Sequence, residues 1–298
     1  MRQHVNGILL LDKPIGLTSN GALQRVKRLF NAKKAGHTGS LDPIATGMLP
    51  ICFGESTKFS QFLLESDKSY FVTAKLGEET NTGDSEGHVT VSKPVIDVTY
   101  ERVLSVANQF IGEIEQIPPM FSAIKLQGKP LYELARQGIE VKREPRKITI
   151  FGIEVEEVEA DRFSIRVDCS KGTYIRTLVE DMGRVLGCGA HVIALRRLNV
   201  SPYDDATSYT LDQLEEMLES GGQEKLLSCL LPVETSVESF PSVRLSTSAV
   251  FYMRMGQAVR APLPTGCSLV RLVSEDARFL GIGEVLADGR VKPIRLVA

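Results

Sequence analysis

Apolar residues recur along the chain at two spacings, one typical of strands and one typical of helices. GILLLDK at residues 7–13 is a short apolar run ended by proline, and the apolar side chains alternate in SYFVTAKL at residues 69–76, which predicts two strands. Residues 191–201 predict a further strand, and residues 147–172 predict a hairpin that turns near Ala160. Helical spacing predicts helices over residues 18–30, 56–66, 100–112, 173–189 and 209–220.

Residues 36–55, GHTGSLDPIATGMLPICFGE, follow neither spacing. Gly, Thr, Ser and Pro are so frequent there that we expect a long loop rather than a regular helix or strand. Asp42 is the single acid before Glu55, and Asp followed by Pro is typical of a turn. His37 is, by the same reasoning, most simply a hydrogen-bonding loop histidine. From these residues alone, the turn interpretation is favoured for both.

The order of the elements indicates the fold class. Strands and helices are interspersed, but the hairpins argue against a purely parallel sheet, so we predict an α+β fold. After about residue 235 the apolar runs become short and are separated by Pro, Gly and Asp-Gly, which predicts a small β domain. The predicted domains are residues 1–235 and 236–298.

Composition narrows the class of protein. Among 298 residues, 43% are hydrophobic and 24% are charged, as in ordinary soluble globular proteins. The longest apolar runs fall far short of the roughly 20 residues that span a bilayer, and the N-terminus lacks the apolar length of a signal peptide, so we expect a cytoplasmic protein without a membrane partner. The five cysteines form no CxxC pair, and no Walker loop, GxSxG or HExxH occurs, so neither a metal site nor a cofactor is predicted.

Charge is unevenly distributed although the net charge is only −2. Residues 1–40 hold seven basic residues and one acidic residue, residues 120–150 hold seven and three, and residues 198–224 hold seven acids and no base. Such segregation allows one face to bind a phosphate backbone, but solvated helix faces would give the same pattern. Charge alone slightly favours the solvated helix faces.

Four ordered motifs resemble the TruB family of pseudouridine synthases. They are GHTGSLDPIATGMLPICFGESTKF, DKSYFVTAKLGEETNTGDSEG, QIPPMFSAIKLQGKPLYELARQG, and CSKGTYIRTLVEDMG with CGAHVIALRRL. The resemblance covers residues 7 to about 200, and Ser56 departs from it where alanine is more usual. The C-terminal region is similar in place and size to the PUA-like domain of bacterial members.

The resemblance implies a pseudouridine synthase fold, with a central mixed, largely antiparallel sheet flanked by helices, and a PUA-like β domain after it. It also implies a tRNA pseudouridine-55 synthase, an isomerase that acts on a uridine of the T loop. Because this isomerisation involves no redox change and no outside group, it requires no cofactor, in agreement with the motifs. We expect a monomer that needs neither a guide RNA nor a protein partner.

The resemblance also implies roles for individual residues. Asp42 corresponds to the nucleophile, Arg176 to its ion-pair partner, and Tyr70 to the residue that stacks on the flipped base and accepts a proton from carbon 5. From spacing alone, Arg176 could equally pair with Glu180 on a helix surface, and Tyr70 could be an ordinary core residue. We expect Asp42 to lie in an enclosed hollow beside Arg176. Whether Asp42 attacks the base or the sugar is open.

Substrate contacts are implied as well. His37 corresponds to a residue that enters the T loop, and Tyr174 and Leu195 to residues that line the uridine pocket. Residues 120–150 are expected to form a thumb over the RNA. The residues expected to bind phosphates are Lys13, Arg25, Arg28, Lys125, Lys129 and Arg136.

Two other functions fit the same motifs. The first is an RNA-binding or tRNA-folding chaperone in which isomerisation is secondary. The second, which we disfavour, is a guide-RNA-dependent synthase within a ribonucleoprotein.

Overall fold

A large mixed sheet and a smaller sheet organise the computed structural model, which describes residues 2–204 and 206–297. The strands are β1 Gly7–Lys13, β2 Ala35–His37, β3 Ala45–Phe53, β4 Lys68–Leu76, β5 Glu78–Thr80, β6 Val89–Ser92, β7 Gly112–Gln116, β8 Lys125–Leu126, β9 Lys129–Pro130, β10 Arg146–Val158, β11 Arg162–Cys169, β12 Ala190–Val200, β13 Ser242–Leu245, β14 Val259–Arg260, β15 Leu269–Ser274, β16 Phe279–Val285 and β17 Arg290–Leu296. The α-helices are α1 Ser19–Leu29, α2 Ser60–Leu64, α3 Tyr100–Gln109, α4 Leu131–Arg136, α5 Ile175–Leu186, α6 Leu211–Leu227 and α7 Thr247–Arg254, with 3-10 helices at Gly54–Lys58 and Val233–Val237.

The large sheet has the order β1-β3-β12-β4-β11-β10-β7, and β2 pairs with β3. Strands β3 and β12 run parallel, whereas the other neighbours along this order are antiparallel. Helices α1, α3 and α5 cover one face, where their apolar side chains join a continuous core with those of the strands. The predicted α+β class with a central mixed, largely antiparallel sheet is therefore confirmed.

Strand β3 corrects the expectation of a long loop over residues 36–55. Within that range only residues 38–44 lack regular structure, because residues 45–53 form a buried strand between β1 and β12 and a 3-10 helix begins at Gly54. Pro50 fits within it because its carbonyl points away from β1 and accepts a hydrogen bond from the Thr38 amide, at 3.0 Å. The missing N–H of Pro50 therefore removes no bond between β1 and β3. Tertiary pairing outweighs the local propensity of Gly and Pro.

The helix predicted over residues 56–66 is also only partly correct. A 3-10 helix at Gly54–Lys58 is followed by the short α2. The other predicted helices of the first domain form with shifts of up to three residues at their ends, except that α6 continues to Leu227, beyond the predicted end at residue 220. Thr18 is the N-cap of α1, and its hydroxyl accepts a hydrogen bond from the Gly21 amide at 3.0 Å.

Residues 117–145 leave the large sheet between β7 and β10, which are adjacent antiparallel strands. This excursion contains the β8–β9 hairpin and α4, and most of its side chains are exposed. We call residues 117–145 the thumb. Its place in the chain corresponds to the thumb predicted near residues 120–150, while its contact with RNA stays a prediction.

The second sheet has the order β13-β15-β16-β17-β14 and packs with α7 around its own apolar core. All of its strands lie within the predicted second domain, and β16 and β17 form the hairpin predicted from LADGRVKP. Within the described residues, no helix is both long and apolar enough to cross a bilayer.

Aromatic side chains join the second sheet to the first domain. Phe59 is fully buried, and its ring lies 5.5 Å from that of Phe279 in β16, measured between centroids. The ring of Phe62 contacts that of Phe240 at the same centroid distance, and the Lys58 ammonium donates to the Leu296 carbonyl at 3.1 Å. The two domains are thus held by a small apolar core of their own.

Replacement of Phe59 should destabilise the protein through this shared core. We expect Phe59→Ala to lower the free energy of unfolding by about 3–5 kcal/mol, because it leaves a cavity between the domains. Phe151→Ala is the matched control, since that ring is 53% exposed and should change the value by less than about 1 kcal/mol. Urea unfolding followed by circular dichroism measures both, and equal effects would contradict the role of Phe59.

Candidate active site

Asp42 and Arg176 form an ion pair although they are far apart in the chain. The Arg176 Nε lies 3.0 Å from the Asp42 Oδ2. Asp42 is in the loop at residues 38–44 that precedes β3, and Arg176 is in the first turn of α5, where its side chain is only 6% exposed. Since Arg176 is buried in the sheet-facing side of α5, the alternative of a surface pair with Glu180 does not hold.

The other guanidinium nitrogens of Arg176 also have partners. Nη1 donates to the Thr82 carbonyl at 2.7 Å and lies 3.5 Å from the Asp84 Oδ2, and Nη2 donates to the Phe121 carbonyl at 2.7 Å. Three segments therefore fix the direction of this side chain. A planar guanidinium with several fixed donors can hold a carboxylate in one orientation.

The loop that carries Asp42 is itself held by hydrogen bonds with Ser19 and Lys13. The Ser19 hydroxyl accepts from the Leu41 amide at 2.7 Å, and the Lys13 ammonium donates to the Leu17 carbonyl at 2.6 Å and to the Pro43 carbonyl at 3.4 Å. Lys13 is fully buried, and burial lowers its pKa to about 8. The predicted phosphate contact of Lys13 does not agree with this placement, so we assign it to support of the loop instead.

The environment of Asp42 acts on its ionisation in two directions. Burial raises the pKa of the Asp42 carboxyl above its usual value, with a further rise from Asp84, while Arg176 and Lys13 act to lower it. The Asp42 side chain is nevertheless 39% exposed. The expectation of an enclosed hollow is therefore wrong: Arg176 holds the carboxylate on its buried side, and the other side is accessible to solvent.

A groove of about 650 Å³ lies beside the loop. Asp42 is not part of its lining, which consists of residues 12–17, Arg25, Thr46, Arg196 and residues 210–212. The groove therefore does not enclose the Asp42 carboxylate, and only a bound substrate large enough to cover this residue could do so.

Tyr70 and Leu195 lie on neighbouring strands next to this loop. Leu195 in β12 pairs with Ala45, the first residue of β3, and Ala45 donates its amide to the Asp42 carbonyl at 3.0 Å. Tyr70 in β4 is 8% exposed, and burial raises the pKa of its hydroxyl while Arg197 lowers it. The backbone of Leu195 is thus joined through Ala45 to the residue Asp42, and the charge of Asp42 acts on the pKa of Tyr70, while the roles of both residues stay predictions.

Tyr174 is the residue before α5 and is anchored through its backbone. Its amide donates to the Gln116 Oε1 at 2.8 Å, and its carbonyl accepts from the Gln116 Nε2 at 3.0 Å. This double contact links the start of α5 to the last residue of β7 and so helps to place Arg176, two residues further on. The predicted pocket contact of the Tyr174 ring stays a prediction.

His37 ends β2, directly before the loop at residues 38–44 that carries Asp42. Within the described residues its Nδ1 is buried and has no hydrogen-bond partner, and burial lowers the pKa of the imidazole, with a further lowering by Arg197. A neutral, planar ring with an unused polar atom is suited to contact with a nucleobase. The structure is thus compatible with the implied role of His37.

The remaining predicted phosphate contacts form two groups. Arg28, Lys125, Lys129 and Arg136 are exposed, and the last three belong to the thumb. Arg25 is exposed too, but its Nη2 lies 3.2 Å from the Glu215 Oε1 of α6, which partly offsets its charge. The thumb is therefore the clearer positive surface, and contact with phosphates stays a prediction for both groups.

Asp84 is the residue of this site that the sequence did not reveal. It is 2% exposed, and its carboxylate accepts from the Thr82 hydroxyl at 2.6 Å and from the Glu86 amide at 3.1 Å, besides facing Arg176. The sequence NTGDSEG indicated only a turn-rich loop. The available signal was its place within a Gly- and Thr-rich motif that belongs to the family resemblance, although Glu86 lies in the same segment.

Comparison with known proteins defines the class. A model of the N-terminal domain of TruB family pseudouridylate synthases matches residues 27–175. Two C-terminal models follow: the tRNA pseudouridylate synthase B C-terminal domain at residues 176–238 and Pseudouridine synthase II TruB, C-terminal, at residues 241–297.

Relatives and solved structures match the full length. Proteins named tRNA pseudouridine synthase B from Coxiella burnetii and Stutzerimonas stutzeri are each 52% identical, over 99% and 100% of this chain and 96% and 97% of their own. A Cbf5-Nop10-Gar1 complex contains a similar chain with a TM-score of 0.76 and 29% identity, covering 99% of this chain and 84% of that one. An H/ACA RNP bound to a substrate RNA containing 2'-deoxyuridine has the same TM-score, 26% identity, and coverage of 99% and 86%.

The fold is therefore that of a pseudouridine synthase, which is an isomerase. The chain belongs to the TruB family of pseudouridylate synthases.

Proposed function

We propose that the protein is a tRNA pseudouridine-55 synthase that converts one T-loop uridine of tRNA to pseudouridine. The names of the full-length relatives support tRNA as the substrate. The single observation that carries the proposal is the 3.0 Å contact between the Arg176 Nε and the Asp42 Oδ2. We further propose that the protein acts as a cytoplasmic monomer.

The reaction requires one carboxylate rather than two. The bond between N1 of uracil and C1′ of ribose breaks, a bond between C5 and C1′ forms, C5 loses a proton, and N1 gains one. A carboxylate that forms a transient covalent bond, to the base or to the sugar, divides this exchange into easier steps. Asp42 is accessible for that bond, and Arg176 favours its ionised form.

The target base has to leave the folded T loop to reach Asp42, at a cost of a few kcal/mol of lost stacking. His37 lies directly before the loop that carries Asp42, and no described residue forms a hydrogen bond with its Nδ1. It is therefore suited to take the place of the departed nucleotide. Tyr70, Tyr174 and Leu195 would form the pocket for the flipped uracil. The bound RNA would cover the Asp42 carboxylate, which the protein alone leaves partly exposed.

Modification mapping tests this proposal. Purified protein is incubated with an unmodified tRNA transcript, without guide RNA or other protein, and each modified uridine is located by carbodiimide labelling and primer extension. We expect one pseudouridine, in the T loop. If conversion occurs only after a guide RNA is added, the protein is a guide-dependent synthase instead.

Binding of the T-arm RNA should weaken with salt because the thumb is basic. We expect the combined variant Lys125→Ala, Lys129→Ala and Arg136→Ala to bind less tightly and to reduce the slope of log affinity against log salt by about 2–3. The double variant Arg162→Ala and Arg166→Ala is the control, since these side chains already pair with Asp161 and Glu156. Fluorescence anisotropy at several salt concentrations measures all three proteins, and equal slopes would contradict the proposed surface.

A further inference from the structure

Arg197 is a buried cation of the site for which neither the motif comparison nor the reaction above gives a role. It lies in β12, is 1% exposed, and pairs with Tyr70 of β4 on one side and with Gly47 of β3 on the other. Gly47 has a φ of 100°, and a Cβ there would lie 2.1 Å from the Arg197 carbonyl oxygen. Strands β3 and β12 therefore approach one another closely where Arg197 leaves the backbone.

The guanidinium of Arg197 contacts the start of the loop that carries Asp42 and, beyond the end of that loop, strand β3. Nε donates to the Met48 carbonyl at 2.7 Å, and Nη2 donates to the Gly39 carbonyl at 3.2 Å. Asp42 lies between these two residues in the chain, so one side chain brackets the segment that carries it. Both partners are neutral carbonyl groups, and neither cancels the positive charge.

Tyr70 is the direct cross-strand neighbour of Arg197. Opposite residues of antiparallel strands place their side chains on the same face, about 5 Å apart at Cβ. Burial raises the pKa of the Tyr70 hydroxyl, Cys169 and Asp42 raise it further, and the charge and hydrogen bonding of Arg197 lower it. The other cations that face Arg197 are Lys13 and Lys68, and its charge lowers the pKa of both as well as that of His37.

We propose that Arg197 is a positioning residue of the isomerisation, which holds the Asp42 loop and the Tyr70 hydroxyl in one arrangement for removal of the proton from C5. This inference rests on the proposed function. In that step the C5–H bond breaks, its electron pair forms the C5–C6 double bond, the C6–N1 π electrons move to N1, and N1 takes up a proton. The Tyr70 oxygen accepts the C5 proton as its own hydroxyl proton passes to water, and Arg197 stabilises the negative charge that develops on that oxygen.

Single-turnover kinetics with saturating enzyme test the inference. Arg197→Met and Arg197→Lys are compared with the unsubstituted protein on T-arm RNA that carries either hydrogen or deuterium at C5 of the target uridine. For Arg197→Met we expect the rate constant to fall about 10- to 100-fold, as for other residues that orient a catalytic group, with the RNA dissociation constant changed less than about 2-fold. The C5-deuterium isotope effect should increase, because proton removal becomes the slowest step. Arg197→Lys keeps the charge, so its rate constant should lie between those of Arg197→Met and the unsubstituted protein.

The control is Arg166→Met in β11, whose side chain is exposed and pairs with Glu156. It should leave both the rate constant and the isotope effect within about 2-fold of the original. Thermal unfolding of every variant separates loss of folding from loss of rate, and Arg197→Lys carries the test if Arg197→Met does not fold.

The outcomes are distinguishable. A slower Arg197 variant with an unchanged isotope effect would overturn the inference, as would variants with the original rate, while the proposed function would stand. If the unsubstituted protein forms no pseudouridine in the same RNA, the proposed function fails and the inference falls with it.

Discussion

Asp42→Asn should abolish pseudouridine formation, with a fall in rate of at least about 10⁴-fold. The amide has nearly the same shape as the carboxylate but cannot form the covalent bond to the base or the sugar. The carboxylate lies on the exposed side of the Arg176 guanidinium, so the substitution changes the chemistry while leaving the backbone partners of Arg176 in place. Release of tritium from RNA labelled at C5 of uridine measures the rate.

The tRNA affinity of Asp42→Asn, measured beside its rate, separates the isomerase activity from RNA binding, the activity expected of a tRNA-folding chaperone. We expect Asp42→Asn to bind tRNA within a few fold of the original affinity, because Asp42 itself adds negative charge near the RNA. The control is Asp161→Asn, an exposed acid in the β10–β11 turn that pairs with Arg162. Should Asp42→Asn still isomerise uridine, Asp42 would be an ordinary turn aspartate, as its local sequence alone suggests.

Arg176→Lys should slow the reaction about 10²- to 10³-fold, the usual cost of losing fixed donors in an active site. Lysine keeps the charge but cannot reach Asp42, the Thr82 carbonyl and the Phe121 carbonyl at once, so the carboxylate loses its orientation. Single-turnover rates measure the effect. Arg184→Lys, on the exposed side of the same helix beside Asp181, is the matched control and should change the rate by less than about 2-fold.

Removal of the charge at residue 176 should also change the pH dependence. Arg176 lowers the pKa of Asp42 against the effect of burial, so its loss in Arg176→Met raises that pKa. The ionised fraction of Asp42 then falls at a given acidic pH, and the acid limb of the rate profile moves to higher pH. Arg176→Lys should show a smaller shift, and an unmoved limb in Arg176→Met would contradict the electrostatic role of the guanidinium.

The sequence predicted the elements better than the contacts between them. Alternation identified β4 and helical spacing identified α5, because each reflects one buried face of one element. The sequence pattern did not predict β3, because Gly47 and Pro50 are unfavourable in strands. In the structure, Gly47 allows the close approach of β12, and the Pro50 carbonyl points away from β1. Local propensity carries no information on such partners.

The site shows the same limit. Family motifs pointed to Asp42 and Arg176, and the ion pair between them agrees with that interpretation. Burial of Lys13, on the other hand, depends on carbonyls of two loops, and the ion pair of Arg25 depends on α6. A charged residue in a basic segment gives no indication of whether it faces solvent or the interior, so these two assignments required the structure.

The contacts of Arg176 have a consequence for how the enzyme acquires its activity during folding. Its guanidinium joins a loop before β3, a loop after β5 and the base of the thumb, so no segment of the chain can assemble the site from neighbours in sequence. Contacts of this kind pay a large loop-closure entropy and tend to form late. Catalytic competence should therefore appear only with completion of the large sheet, and recovery of activity during refolding should trail the recovery of helical signal.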